Sequence, residues 1–216
     1  MASPIAHIVY AEDFLNSVQY SFSREWRNEF IAGSLFPDII RLLPYTSREL
    51  THNRYPVDLD LSALRPFYAG WKFHLYCDKA REYFLKKEDF YGIPHSKDCS
   101  YAANKFLEDM LIYDGFSSYK DLSEFLYLFD LSVDGIDRNT IRQWYQSISE
   151  YVGKKPDFSD IEIILERFKT ADNDIEVALQ SIRVLKEDKR AVTLLGLVSD
   201  NIMLLQQEKE LPLQLP

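Results

Sequence analysis

The sequence predicts an all-α protein, and three observations lead to this prediction. Along most of the chain, apolar residues recur at spacings of three and four, the period of a helix with one buried face. The 216 residues include only 7 glycines and 9 prolines, fewer than the turns of a large sheet protein normally need. With 46% hydrophobic and 14% aromatic residues the chain can bury a substantial core, which argues against disorder over most of its length.

Four helices are predicted in the first half of the chain. We expect them over residues 4–15, 23–36, 66–87 and 98–114. Ser3-Pro4 begins the first, because serine caps helix N termini and proline suits the first helical turn. Pro37 should end the second, because the residue before a proline is disfavoured in the α conformation. The polar stretch 44–66 is predicted to be irregular, and loops of that length in compact domains are often functional.

Five further amphipathic helices are predicted in the second half, each after a residue that can cap or turn the chain. The expected ranges are 118–129, 138–152, 159–170, 174–186 and 191–209. The residues preceding them are Ser117, Asp137, Asp157, Asp172 and Asp188. The sequence contains no convincing internal repeat. We therefore expect a helical region 1–115, which carries the histidines, and a helical region 116–216 packed on it as a single compact domain.

Charge and cysteine content limit the possible classes of function. The formal net charge is -9 and no basic patch is visible, so nucleic-acid binding is not expected. Cys77 and Cys99 are too few for a disulfide framework, and the N-terminal residues lack the features of a signal peptide. No apolar run approaches the roughly 20 residues of a membrane span. We expect a cytoplasmic enzyme or interaction domain, whose oligomeric state the sequence leaves open.

All four histidines precede residue 100, and one of them forms a suggestive pair. His74 and Asp78 are four residues apart in a helical segment, so a ring nitrogen and a carboxylate share one helix face and can bind one ion. The alternative is an exposed pair that only stabilises the helix. Gly70, one turn earlier, removes a side chain from this face and leaves room for another helix or a substrate.

Three more residues complete a candidate metal site. His7 lies among apolar residues one turn into the first helix, where the alternatives are a ligand and a buried histidine with satisfied hydrogen bonds. His52 follows Thr51 in the irregular stretch, and Asp38 follows Pro37 at a helix end. Zinc sites take imidazole and carboxylate ligands from separate elements, and this half of the chain supplies both kinds.

The order of these residues resembles the zinc-dependent phospholipase C-like family of all-helical metal hydrolases. That family has an early helix with a histidine ligand, a Gly-Ser/Asn-x-x-Pro-Asp segment, a Thr-His pair and an aromatic-Gly-x-x-x-His-x-x-x-Asp helix. The matching segments here are Ala6-His7-Ile8, Gly33-Ser34-Leu35-Phe36-Pro37-Asp38, Thr51-His52 and Tyr68 to Asp78. The resemblance covers about residues 4–110. It implies a multi-helix bundle of the phospholipase C/P1 nuclease-like type, with additional C-terminal helices.

The resemblance also implies an activity and a ligand set. The chain would be a metal-dependent hydrolase that attacks a small phosphate ester with metal-activated water, as a phosphodiesterase or a phospholipase-like enzyme. The implied metal ligands are His7, Asp38, His52, His74 and Asp78. Asp78 would bridge two ions, and Asp38 would lie beside the attacking water as the catalytic residue. Zinc is the expected ion, in one or two copies, with iron or manganese as alternatives.

Departures from the family pattern leave the metal count and the function open. The secreted members bind an ion through an N-terminal tryptophan that this chain lacks, and they have a further His-x-x-x-Glu pair. Here that pair is Asn104 and Glu108, with His95 nearby. The alternative is therefore a non-catalytic helical interaction module with a degenerate metal site. A looser resemblance to acyl-carrier-protein phosphodiesterases rests on residues 34–39 and lacks a second N-terminal histidine, because position 5 is Ile5.

Two further signals are interpreted as structural. The segment Asp130 to Gly135 begins like a calcium-binding EF-hand loop, but Ile141 stands where the loop needs a bidentate glutamate. We interpret it as a turn followed by a helix cap. Cys77 has no histidine at a diagnostic spacing, so a packed thiol is the better interpretation.

Overall fold

The protein is described from a computed structural model, which covers residues 3–18, 21–43, 48–61, 64–94, 96 and 102–208. His95 and Cys99, and with them the prediction of a ligand at His95, lie outside the described residues. Within these ranges every regular element is helical, apart from one isolated bridge between Val133 and Ile136. The predicted all-α class is thereby confirmed. None of the helices found here is long and apolar enough to cross a membrane.

The described residues form eleven α-helices, whose bounds follow in chain order. They are α1 (Pro4–Ser17), α2 (Arg24–Leu35), α3 (Glu49–His52), α4 (Pro66–Lys87), α5 (Ala103–Ile112), α6 (Tyr119–Leu128), α7 (Arg138–Val152), α8 (Phe158–Arg167), α9 (Asp172–Glu187), α10 (Lys189–Gly196) and α11 (Val198–Glu208). Three short 3-10 segments accompany them: Phe36–Leu42, Phe90–Gly92 and Tyr113–Gly115.

The end predicted for the second helix is confirmed, because α2 ends at Leu35 and Pro37 lies in the first turn of the following 3-10 segment, where a missing N–H costs nothing. Two other predictions were wrong. His52 does not lie in an irregular stretch but ends the single-turn helix α3. The helix predicted over 191–209 is divided at Leu197, since α10 packs on α5 and α9 whereas α11 packs on α4 and α1.

The predicted caps are confirmed at three of the second-half helices. The carboxylate of Asp137 accepts the backbone N–H of Thr140, and that of Asp188 accepts two N–H groups at the start of α10. Asp157 forms a reciprocal capping box at the start of α8. The other two predictions were wrong: Ser118 rather than Ser117 precedes α6, and Asp172 is itself the first residue of α9.

Helices α2 and α4 cross with their backbones in contact. A Cβ atom added to Gly33 would lie 1.9 Å from the carbonyl oxygen of Phe67, and one added to Gly70 would lie 1.9 Å from that of Phe30. Only glycine permits such an approach, because any other residue would place its side chain inside the facing backbone. The room that Gly70 was predicted to leave is therefore filled by another helix.

The first and second halves of the chain pack together around α1 and α4. Ten of the fourteen residues of α1 are buried, and this helix contacts α2, α4, α5, α7 and α11. Helix α4 packs on α2 and on α11. His7 on α1 and His74 on α4 are consequently enclosed by several helices, and both are buried.

The two signals that were interpreted as structural have that character in the fold. Asp130 accepts a hydrogen bond of 2.8 Å from Arg138, and Asp137 caps α7, so the EF-hand-like segment is a turn and a cap. Cys77 is fully buried, and burial raises the pKa of its thiol well above the ordinary value. A neutral, packed thiol is the expected result.

Candidate metal centre

The five predicted ligands come from four elements and meet at one place. His7 is supplied by α1, Asp38 by the 3-10 segment, His52 by α3, and both His74 and Asp78 by α4. The Nε2 atoms of His7 and His74 each lie 3.5 Å from an oxygen of Asp78. His52 Nε2 lies 3.8 Å from Asp78 Oδ2 and 4.0 Å from Asp38 Oδ1. The predicted convergence of these residues is therefore observed.

The cluster is buried and compact. None of the five side chains exposes more than 7% of its surface. The rings of His7 and His74 stack with their centroids 3.9 Å apart, and the ring of His52 meets that of His74 edge-on. Two carboxylates and three imidazoles placed together inside a protein need compensation of their polar and charged atoms, because water cannot solvate them there.

His74 is oriented by the backbone of α2. Its Nδ1 lies 2.7 Å from the carbonyl oxygen of Ser34, which can only accept a hydrogen bond, so Nδ1 carries the proton. The lone pair of Nε2 then points towards Asp78. Ser34 directly follows Gly33, and the contact between the helices thus brings this carbonyl within reach of the ring.

His52 is oriented in the same sense by Thr51. The hydroxyl of Thr51 donates its hydrogen to the carbonyl oxygen of Pro37 at 2.9 Å, so it must accept from His52 Nδ1 at 2.8 Å. This leaves a lone pair on His52 Nε2, the nitrogen that faces both carboxylates. The backbone at Thr51 is itself held by the indole N–H of Trp71, 2.7 Å from its carbonyl oxygen.

His7 is not a core histidine with satisfied hydrogen bonds. Neither of its ring nitrogens has a hydrogen-bond partner among the described residues, and both are buried. Its Nε2 lies 3.5 Å from Asp78 Oδ1, and the ring stacks on that of His74. A buried nitrogen of this kind normally has a partner, so the position suits a ligand of an ion.

The electrostatic environment favours the protonation states that metal ligands require. Burial lowers the pKa of His7 and of His52 to about 4, so both imidazoles are neutral at pH 7. Burial opposes the charge on Asp38, but attraction to nearby basic groups, of which Arg41 is the foremost, outweighs it and brings the pKa of Asp38 to about 2. Neutral imidazoles and ionised carboxylates bind metal without first losing a proton.

Three basic residues near the cluster were missed by the sequence analysis. Arg41 Nη2 lies 3.8 Å from Asp38 Oδ2, and Arg48 Nη2 lies 3.7 Å from Asp78 Oδ2. Lys105 of α5 is buried, and burial followed by repulsion from Arg41 lowers its pKa to about 7. Arg41 lies three residues after Asp38, a helical spacing that was not used, whereas only the fold reveals that Arg48 and Lys105 adjoin the carboxylates.

A second ligand group at Asn104 and Glu108 is not part of the cluster. Arg81 Nε donates to Glu108 Oε2 at 2.7 Å, Tyr10 donates to the other oxygen, and Arg81 Nη2 lies 3.4 Å from Asn104 Oδ1. Arg81 and Glu108 are both fully buried. An internal guanidinium thus provides, beside Glu108, the positive charge that a further ion would have supplied. The position of Arg81, three residues after Asp78 on α4, was a signal that the sequence analysis did not use.

An open cleft leads from the surface to one side of the cluster. It has a volume of about 300 Å³, and its lining includes His52 and Asp78 together with the exposed residues Arg48 and Lys79. Such a volume is at the lower end of the range for small-molecule sites. Two of the five candidate ligands are therefore reachable by a small molecule from outside.

Comparison with known proteins adds no relative: no family model, no curated protein and no solved structure matches this chain. A functional assignment consequently depends on the geometry and chemistry of the site.

Proposed function

We propose that this chain is a metal-dependent hydrolase of phosphate esters, built on a helical bundle of the phospholipase C/P1 nuclease-like type. The observation that supports this proposal most is the orientation of two histidine rings. His52 and His74 both form a hydrogen bond with the protein through Nδ1, and in both the Nε2 atom faces Asp78. Hydrogen bonding of the distal nitrogen is the usual way in which proteins orient a metal-binding imidazole.

The separations within the cluster suit an ion. A tetrahedral zinc ion with ligands at 2.0–2.2 Å keeps those ligands about 3.3–3.6 Å apart. The distances of 3.5 Å from Asp78 to His7 and His74 lie in that range, and the contacts of His52 are only slightly longer. Imidazole with carboxylate favours zinc, and iron or manganese are the alternatives.

We propose one ion rather than two for these five residues. Two ligand triads are geometrically possible: His7 with Asp38 and His74, and His52 with His74 and Asp78. Both depend on His74, which has a single free lone pair because Ser34 engages its other nitrogen. One nitrogen lone pair binds one ion, so the triads describe a shared site. A bridging role for Asp78 between two ions is then unnecessary.

The residues of the chain would divide the chemistry among them. A bound divalent ion makes a coordinated water acidic enough to attack at neutral pH and polarises the phosphoryl oxygens. The histidines hold their lone pairs in place without needing to lose protons. Asp38 directs Oδ1 at His52 and Oδ2 at Arg41, and we propose that this carboxylate accepts the proton of the attacking water.

The proposal is tested by measuring metal content and turnover together. Protein purified without chelator should contain about one equivalent of zinc, iron or manganese, and should hydrolyse bis(p-nitrophenyl) phosphate or p-nitrophenyl phosphate. Chelation should abolish turnover and the ion should restore it, whereas His74→Ala should show neither metal nor turnover. Wild-type protein without bound metal, and without turnover when metal is added, would contradict the proposal.

A non-catalytic interaction module is the second candidate, and the Arg81–Glu108 pair favours it. A buried guanidinium in place of an ion shows that one part of the polar core is held by fixed charge alone. If the remaining centre serves only to stabilise the fold, the protein should bind metal and melt higher with it, yet hydrolyse no phosphate ester. Turnover that depends on metal would exclude this candidate.

A further inference from the structure

The mouth of the cleft carries an arginine whose position suits a substrate anion. Arg48 exposes 53% of its side chain, and its Nη2 lies 3.7 Å from Asp78 Oδ2. This distance is too long for a hydrogen bond, so the guanidinium is attracted to the carboxylate without being tied to it. It therefore lies between the buried candidate ligands and the solvent.

A bound ion would change what this arginine is attracted to. Asp38 and Asp78 are the two carboxylates of the cluster, and their oxygens lie 4.0 Å and 3.8 Å from His52 Nε2. A divalent cation neutralises both. The Coulomb attraction that draws Arg48 to Asp78 is then largely cancelled, and its positive charge becomes available to an anion in the cleft.

The chemistry of the guanidinium specifies the kind of anion. Its planar N–H groups match two oxygens of a phosphoryl group, and hydrogen bonds of this charged type are about twice as strong as neutral ones. Lys79 lines the same cleft and adds a second positive charge. The cleft of about 300 Å³ has room for a small ester rather than for a polymer.

Resting on the hydrolase function proposed above, we propose that Arg48 binds the phosphoryl oxygens of the substrate, so that the substrate is a small phosphate ester held between the ion and this guanidinium. Asp78 would then have two roles in succession: it attracts Arg48 to the mouth of the cleft before the ion binds, and it is a ligand of the ion afterwards. Arg48 touches the reacting group in this arrangement and is a catalytic residue.

The test compares Arg48→Gln with Lys87→Gln in zinc-loaded protein. Lys87 is exposed at the end of α4, and its replacement removes the same charge at a distance from the cleft. Affinity for inorganic phosphate is measured by calorimetry, and kcat/KM is measured with p-nitrophenyl phosphate.

Arg48→Gln should weaken phosphate binding about tenfold or more with unchanged zinc content, because a charged hydrogen-bond donor is lost. Lys87→Gln should stay within about twofold of the wild type. Arg48→Lys should recover only part of the affinity, since an ammonium cannot bond two oxygens in the same fork.

Each result separates this inference from the proposed function. If Arg48→Gln binds phosphate and turns over substrate as the wild type does, the inference is wrong and the hydrolase stands. If Arg48→Gln loses zinc as well, the residue supports the metal ligands, and the inference is again wrong. Phosphate binding that depends on Arg48 in a protein without any turnover supports the anion site and contradicts the hydrolase. Zinc-loaded wild type that binds no phosphate overturns both.

Discussion

The hydroxyl of Thr51 determines which nitrogen of His52 faces the candidate metal centre. The hydroxyl donates its only hydrogen to the carbonyl oxygen of Pro37, so it accepts a hydrogen bond from His52 Nδ1. Thr51→Val keeps the shape of the side chain but removes this acceptor. We expect its zinc affinity to fall about 10–100-fold, the usual effect of losing such a supporting group.

The measurement for Thr51 is a competition titration against a chromophoric chelator. Thr51→Ser is the matched control, because it restores the hydroxyl and should bind zinc nearly as the wild type does. Equal affinities of the valine variant and the wild type would show that the hydroxyl does not orient the ring.

Asp78 should matter more to metal binding than Asn104. Its carboxylate lies within 3.8 Å of a nitrogen of all three histidines, whereas the amide oxygen of Asn104 faces Arg81. Asp78→Ala should therefore purify without metal, and Asn104→Ala should retain it, as judged by elemental analysis. Circular dichroism shows whether each variant is folded. An Asp78→Ala protein with full metal content beside a metal-free Asn104→Ala protein would refute the assignment of the centre.

The candidate ligands were predictable because they belong to short patterns of neighbouring residues. Helical spacing puts His74 and Asp78 on one face, and the resemblance added the residues whose neighbours in sequence match the family. Arg48 and Lys105 lacked any such pattern. Their closeness to the carboxylates results from the way α3 and α5 approach α4, which sequence spacing does not encode.

At the scale of helices, the contact between α2 and α4 should be the least tolerant of added volume. Gly70→Ala would place a methyl group 1.9 Å from a backbone oxygen of Phe30, which cannot rotate away. The helices must separate, and we expect a loss of about 1–3 kcal/mol or more in unfolding free energy. Urea denaturation measures this loss.

Gly196 provides the matched control for that experiment. It ends α10, and a methyl group added there meets nothing within 4 Å. Gly196→Ala should leave the protein equally stable or more stable by up to about 1 kcal/mol, because alanine loses less backbone entropy in a helix. If Gly70→Ala were as well tolerated as Gly196→Ala, the close crossing would be wrong.

Helix positions followed from the sequence where the signal was local. Pro4, Pro66 and Asp157 act through their own backbone or their own hydrogen bonds, and each marks the beginning of a helix as predicted. The division at Leu197 depends instead on tertiary neighbours. α10 and α11 pack against different helices, and periodicity alone cannot show that.

At the scale of the whole molecule, Asp109 links three helices and should make stability depend on pH. Its carboxylate accepts hydrogen bonds from Ser3 and from the backbone N–H of Ala6 at the start of α1, and one of 3.0 Å from Tyr151 of α7. Burial nevertheless raises its pKa to about 7. The folded state then holds a proton that the unfolded state releases near its ordinary pKa of about 4.

The sign of the effect follows from that difference. The contribution of Asp109 to stability is fully present below about pH 4 and is lost as the pH rises towards 7, on the order of 4 kcal/mol in total. Relative to Asp109→Asn, the wild type should lose stability over this window. Urea unfolding of both proteins from pH 4 to pH 8 measures the difference. A stability difference between the wild type and Asp109→Asn that stays constant over this range would contradict the raised pKa of Asp109.

The all-α class was predictable for the whole chain because one periodicity runs through it. The way in which helices enclose the candidate metal centre was not predictable from the sequence. Helix α11, near the end of the described chain, packs on α4 and α1, and no pattern in residues 198–208 identifies those partners. Long-range packing of this kind depends on the complementary shapes of faces that are remote in sequence.

The contact between Gly33 and Gly70 also bears on which ions the centre accepts. Backbone atoms that already touch cannot move closer, and the carbonyl that holds His74 belongs to the same turn of α2. The site therefore cannot contract, and it can widen only if the close packing of these two helices is lost. Calcium prefers six to eight oxygen ligands at 2.3–2.6 Å and would require the helices to part. We expect calcium in large excess to leave bound zinc in place, because the helix crossing would make the centre selective for small ions.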